Sequence, residues 1–170
     1  MDFSAFENIS SAIEAKFGSE SILDKKSEAI QPYIVIDKNS LVKICEFLYT
    51  DERFYFDLLN CITAIDNGPE NNSMELWYHL TSIPFEKSFI IRVIIDRTPK
   101  ENEELPSVPS LNSIWKTANW HEREAFDLLG INFSDHPDLR RILLPADWLG
   151  YPLRQDYQEM ETYHGIKVKY

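Results

Sequence analysis

The chain is poor in the residues that build metal and redox centres. Its 170 residues include two cysteines, Cys45 and Cys61. Neither belongs to a CxxC pair, and none of the four histidines stands beside them at zinc-ligand spacing. An iron–sulfur cluster takes about four thiolates, so this chain cannot ligate one alone. Both cysteines read as structural thiols, a usage that fits a reducing compartment. No basic stretch leading into an apolar run follows the start, Met1-Asp2-Phe3-Ser4, so a secretory signal peptide is not expected. No apolar run approaches the ~20 residues that span a bilayer. The most apolar segment, Phe89 to Ile95, is interrupted by Arg92, so any membrane association is expected to go through a partner. Positive charge is in deficit: 17 Lys and Arg face 28 Asp and Glu, a net charge of −11. Phosphate backbones and anionic lipid repel such a surface, which argues against nucleic-acid binding and direct lipid docking.

The content is otherwise that of a globular domain, with 44% hydrophobic and 13% aromatic residues. A chain this long buries roughly 70% of its unfolded surface and needs no staples. Phe6, Ile9, Ile13 and Phe17 recur at helical spacing before Gly18, predicting a helix over 4–17. A polar stretch and a short strand, Tyr33 to Ile36, follow. Asp37, Asn39 and Ser40 offer caps for a helix carrying Leu41, Ile44, Cys45 and Leu48. Alternation at Phe54, Phe56 and Leu58 predicts a strand over 54–65, and Asn67-Gly68-Pro69 a turn. Met74, Leu76, Tyr78 and Leu80 share one face of a strand over 74–83. Ser88 to Asp96 is apolar on both faces and reads as a central strand. After a charged loop over 98–106, Leu111 to Leu129 reads as helical with a break near Lys116-Thr117, ending at Gly130. This order predicts an α+β domain over 1–130, a two-layer mixed sheet with helices packed on it.

Residues 131–170 carry no long period, and prolines recur at Pro137, Pro145 and Pro152. An unstructured run of about 40 residues is unusual within a domain. Yet Trp148, Tyr151, Tyr157 and Tyr163 make it unlike a linker, so it is expected to be an extended tail lying on a surface, partly its own and partly a partner's.

Two stretches concentrate charge. The first runs from Trp120 to Gly130. On a helical wheel Ile114, Ala118, Ala125 and Leu129 share one face with Glu122 at its edge, while Trp120, Arg123, Glu124 and Asp127 gather opposite. Arg123 can pair with Asp127 at i, i+4. Glu124 and Asp127 repel unless Arg140, Arg141 or Arg154 arrives. The second stretch runs from His136 through Arg141 to Tyr157, with Arg and Asp interleaved. A guanidinium fork suits two-point contact with a carboxylate, so an Arg–carboxylate lattice between helix and tail is expected. His121-Glu122 lacks the second histidine of an HExxH zinc helix, since position 125 is Ala. Arg140-Arg141 lacks the glycine-rich loop of a nucleotide site. An acidic enzyme using Glu122, Glu124 or Asp127 would instead gather them around an open space with perturbed pKa values. A soluble adaptor would dock the tail wholly on its own domain.

Taken together, Glu122-Arg123-Glu124, Asp127, Gly130-Ile131, His136-Pro137-Asp138-Leu139-Arg140-Arg141, Leu144-Pro145, Asp147-Trp148, Gly150, Pro152-Leu153-Arg154 and Asp156-Tyr157 resemble the C-subunit family of NADH–quinone oxidoreductase, the 30 kDa-type subunit of respiratory complex I. Upstream, Asp57 to Leu59 and Thr63 to Asp66 resemble the family's strand pair, and Leu111 to Ala118 its approach to the helix. Gln155 departs from the pattern, where many members carry Lys. The resemblance implies a separate scaffold subunit, not one fused to the quinone-site subunit, in the peripheral arm of a proton-pumping, electron-transporting complex. It implies no catalytic, cofactor-binding or metal site in this chain, with FMN and iron–sulfur clusters held by partners. Those partners would be the quinone-site D subunit and the cluster-bearing B and I subunits, placing the chain peripherally on the cytoplasmic side of the inner membrane. The motif residues would then serve structure and subunit interfaces. The equivalent subunit of a ferredoxin-driven complex or a membrane-bound hydrogenase is the alternative.

Overall fold

A computed structural model describes residues 3–99, 101 and 103–168. Met1 and Asp2 of the start, Lys100 and Asn102 of the charged loop, and Lys169 and Tyr170 at the end lie outside the described residues. Five strands form one mixed sheet: β1 (Ile22–Lys26), β2 (Tyr33–Ile36), β3 (Leu58–Asp66), β4 (Ser73–Ser82) and β5 (Lys87–Asp96), in the order β1-β2-β5-β4-β3. β2 and β5 run parallel, and the other neighbours are antiparallel. The expected α+β fold, a mixed sheet with helices packed on it, is therefore present, with β5 central as its two apolar faces require.

Alternation sets which face is covered. Met74, Leu76, Tyr78 and Leu80 of β4 are buried on one side, beside Phe89, Ile91, Val93 and Ile95 of β5. Helix α1 (Phe3–Phe17) brings Phe6, Ile9 and Ile13 into the same core, and α2 (Leu41–Thr50) adds Leu41, Ile44, Cys45 and Leu48. The Asp37 side chain accepts from the Asn39 amide in the single 3-10 turn that opens onto α2.

Several elements differ from the sequence expectation. The edge strand β1 buries only Ile22 and exposes Leu23, Asp24 and Lys26, so it has no apolar period to read. β3 starts at Leu58 rather than Phe54. Phe54 and Phe56 belong to a turn in which Phe54 and Tyr55 donate their amides to the Asp51 carbonyl, and the loop dips twice into the core. The supposed strand pair over Asp57–Asp66 is this one strand, with a bulge between Leu59 and Cys61.

Beyond the sheet, β6 (Ser107–Pro109) and β7 (Asn132–Ser134) pair in parallel across helix α4 (Ala118–Leu129), which follows the single turn α3 (Gly68–Asn71) in chain order. Residues 111–117 form turns rather than the first part of α4. They lie along the sheet edge: the Trp115 indole donates to the Phe56 carbonyl (2.9 Å) and Thr117 Oγ1 to the Leu59 carbonyl (3.0 Å). Side chains and a helix thus cover the edge strand that would otherwise invite pairing. Ile131 and Phe133 reach the core. After Asp135 the chain is irregular until the small hairpin β8 (Thr162–Tyr163) and β9 (Ile166–Lys167). Among the described residues no helix is long and apolar enough to cross a membrane.

Candidate functional site

The charged positions of α4 and the following segment come together at the C-terminal end of the helix. A helix leaves its last carbonyls short of intrahelical donors, and here each of the last four finds one from a residue beyond Leu129. Gly130, in the left-handed region at φ 68°, donates its amide to the Phe126 carbonyl. Arg141 Nη1 reaches the Asp127 carbonyl (3.0 Å), the Leu153 amide the Leu128 carbonyl (3.0 Å), and Arg154 Nε the Leu129 carbonyl (2.7 Å). Arg154 Nη2 adds the Gly130 carbonyl. Two guanidinium groups at this end also suit the negative pole of the helix dipole.

Asp127 is the hub. Its side chain is fully buried, Oδ1 accepting from Arg141 Nη1 at 2.7 Å. Its Oδ2 accepts three successive backbone amides, those of Ile142 (3.0 Å), Leu143 (2.7 Å) and Leu144 (2.9 Å). Burial pushes the carboxyl pKa up, but these amides and Arg141 outweigh it and hold the group below the usual range. Arg141 continues to the Trp148 and Gly150 carbonyls. Its guanidinium and that of Arg154 both lie over the Tyr151 ring, at 5.3 and 4.7 Å from the centroid. That ring leaves no room beside Gly130, where an added Cβ would stand 2.5 Å from Tyr151 Cε2.

Glu122 faces the other way. It is wholly buried and accepts from Ser110 Oγ (2.6 Å) and the Leu111 amide (2.7 Å), joining the segment directly after β6 to α4. Burial pushes its pKa up to about 7, against the pull of those two donors. His136 Nε2 lies 3.9 Å from Glu122 Oε2 and 3.3 Å from the Asn119 carbonyl. Because His136 Nδ1 accepts the Asp138 amide (3.1 Å), the neutral ring carries its proton on Nε2. Burial lowers the His136 pKa.

The i, i+4 pair expected within the helix does not form. Arg123 is buried, donates Nε to the Arg140 carbonyl (3.3 Å) and lies over the Trp120 ring, while Asp127 takes Arg141. Arg140 pairs with its own neighbour Asp138 (3.0 Å) at the surface. Farther on, the Trp148 indole donates to the Tyr157 hydroxyl, and Pro145 accepts the Trp148 amide in a turn. Asp147 accepts from Tyr163 and pairs with His164, both at 2.8 Å. Pro137 is exposed and Pro152 half-buried. Leu153 and Glu124 remain exposed.

The pairing that makes a second anchor has no signature in the sequence. Asp66, buried at the end of β3, accepts from Arg97 Nε (2.8 Å), the Gly68 amide (3.1 Å) and the Gln155 amide (2.9 Å). Gln155 Nε2 also donates to the Asp66 carbonyl, and Arg97 reaches on to Asp156. The departure at Gln155 thus leaves a carboxamide that closes a backbone contact. No local pattern announces this anchor, because its members stand up to 89 residues apart. Glu75 and Arg92 form another, bidentate pair on the open sheet face (2.8 and 2.5 Å), bracketed by Trp77. Among the described residues no group of three or more His, Cys, Asp or Glu side chains is placed to hold a metal.

Residues 34–163 match the family model described as the respiratory-chain NADH dehydrogenase 30 kDa subunit. The NADH-quinone oxidoreductase C subunit of Chloroherpeton thalassium is 39% identical over 160 residues, which cover 93% of this chain and 63% of that protein. The corresponding C subunit of Chlorobium phaeobacteroides is 37% identical over 159 residues, covering 93% and 92%. A chain in the structure of the membrane-bound sulfane sulfur reductase, an archaeal respiratory membrane complex, superposes with a TM-score of 0.72 at 21% identity, over 89% of this chain and 85% of that one. That likeness concerns the fold. The extent of the family match and the identity to these C subunits over nearly the whole chain lead to one conclusion: the chain belongs to the respiratory-chain NADH dehydrogenase 30 kDa subunit family.

Proposed function

We propose that this chain is a non-catalytic scaffold subunit in the peripheral arm of a proton-pumping NADH:quinone oxidoreductase. Electrons would pass from NADH through FMN and iron–sulfur clusters to quinone in partner subunits, none of those groups being held here. The observation that supports this best is the closed state of two of the three α4 carboxylates, Glu122 and Asp127, the third, Glu124, being exposed. A general acid or base must come within hydrogen-bond reach of the substrate's proton. Glu122 and Asp127 are instead sealed from solvent and hydrogen-bonded within the chain.

In this reading residues 1–130 are the domain and residues 131–170 the partner-docking segment. Asp127, Arg141 and Arg154, with Glu122, Arg123, His136, Asp138, Arg140 and Asp156, set its course. Leu143, Leu149 and Leu153 are exposed on it, apolar side chains suited to burial against another protein. The partners are the quinone-site D subunit and the cluster-bearing B and I subunits, and they hold the chain on the cytoplasmic side of the membrane. The test is a mild-detergent pull-down of this chain from its native membranes, with mass spectrometry of the co-purified proteins and an NADH:quinone activity assay. Recovery of cluster-bearing and quinone-site subunits with activity is expected. Recovery of the chain alone from the soluble fraction would overturn the proposal, and a different input module would identify another electron donor.

A further inference from the structure

One charge of the motif is left over. Glu122, Asp127, Arg123, Arg140, Arg141, Arg154, Asp138, Asp147 and Asp156 all have partners within the chain. Among the described residues Glu124 has none, although it sits on the same helix and is exposed. It lines a groove of about 360 Å³ between α4 and β3. The groove's other walls include Cys61 and Thr63 from the open sheet face, Leu128 from the helix, and Leu153 from the following segment. Leu153 is 58% exposed, yet its backbone is pinned there by the hydrogen bond to the Leu128 carbonyl. The groove is thus a mostly apolar trough, lined also by His121 and Thr63, with the unpaired Glu124 carboxylate at its edge, on a chain of net charge −11.

We infer that this groove docks a segment of a partner subunit carrying a lysine or arginine beside an apolar side chain. The apolar side chain lies on Leu128, Leu153 and Cys61, and the cation meets Glu124. Charge complementarity favours this occupant, because a trough already bounded by an acid on an acidic chain repels an acidic one. Removing water from the pair makes it matter more than a surface ion pair would.

The inference rests on the subunit reading, and the experiment separates the two. In native membranes the chain is replaced by Glu124→Lys, Leu153→Asp or, as a charge-matched control at an exposed acid on another face, Glu52→Lys. The quantity measured is chain recovered with the purified oxidoreductase. Recovery falls roughly tenfold or more for Glu124→Lys and Leu153→Asp, the scale expected when one member of a desolvated interface pair is lost or reversed. Glu52→Lys leaves it unchanged. The isolated Glu124→Lys chain keeps its thermal midpoint, because Glu124 holds nothing in the fold. A photo-crosslinking amino acid at position 153 is expected to capture a partner segment with a lysine or arginine within a few residues. Wild-type recovery of both variants, or capture of lipid, of a second copy or of an acidic segment, overturns the proposal. If the wild-type chain co-purifies with no other subunit, the subunit reading falls and the groove with it.

Discussion

Glu122→Gln isolates the buried carboxyl that joins the segment directly after β6 to α4. In the unfolded chain this group titrates near 4.5, and in the folded chain burial pushes it up to about 7. Below pH 4.5 both states hold the proton and the shift costs nothing. As the pH rises toward 7 the unfolded chain releases it while the folded chain does not, so stability falls, and above 7 the penalty is constant. The difference amounts to roughly 1 kcal/mol near pH 5 and about 3 kcal/mol near pH 8. Glutamine keeps the shape and the bonds: its oxygen accepts the Leu111 amide, and its amide faces Ser110 Oγ. His136 and His79 both have lowered pKa values from burial and contribute the opposite slope near neutrality, so the informative quantity is variant minus wild type. Urea unfolding of the full chain at several pH values between about 5 and 8, with the m-value constant, measures it. Glutamine is expected to stabilise increasingly with pH. A pH-independent difference, or a loss of stability at pH 8, would refute the assignment of Glu122 as a buried acid without a compensating cation.

The same geometry sets three further outcomes. Asp127→Ala strands three amides and Arg141 and is expected to cost about 3–5 kcal/mol in urea unfolding. Because the folded carboxyl sits below its ordinary value, the gap to wild type should narrow as the pH falls from the ordinary carboxylate range through that lowered pKa. Gly130→Ala combines a left-handed φ with a clash against Tyr151. It should cost more than about 1 kcal/mol, and adding Tyr151→Ala should make the clash component vanish in a double-mutant cycle. The Tyr78 hydroxyl is buried with no hydrogen bond among the described residues. Tyr78→Phe should therefore leave the thermal midpoint unchanged or raise it, and a loss above about 1 kcal/mol would reveal an engaged hydroxyl.

The elements with a strong period are legible in the sequence. α1 and α2 follow their 3.6-residue apolar recurrence, and β4 and β5 their alternation, because each must bury one face or both. The departures have equally local causes. β1 is a polar edge strand, and the apolar alternation at Phe54 and Phe56 belongs to a loop. Side-chain pairing is less legible than the elements. The helical wheel groups Arg123 with Asp127, but a wheel cannot register that an incoming segment presents three amides and a guanidinium to one carboxylate.

By itself the sequence determined that this is an acidic, mostly periodic α+β chain with a dense charged motif from Glu122 to Tyr157. Burial of apolar faces is a local demand repeated along each element, so it leaves a readable pattern. Only the tertiary structure decided that Arg141 rather than Arg123 meets Asp127, that Asp66 holds Gln155 across 89 residues, and that Glu124 is the motif charge left over. A buried charge is stable only beside its partner, and that partner is chosen by where the folded chain returns, which no spacing along the chain encodes.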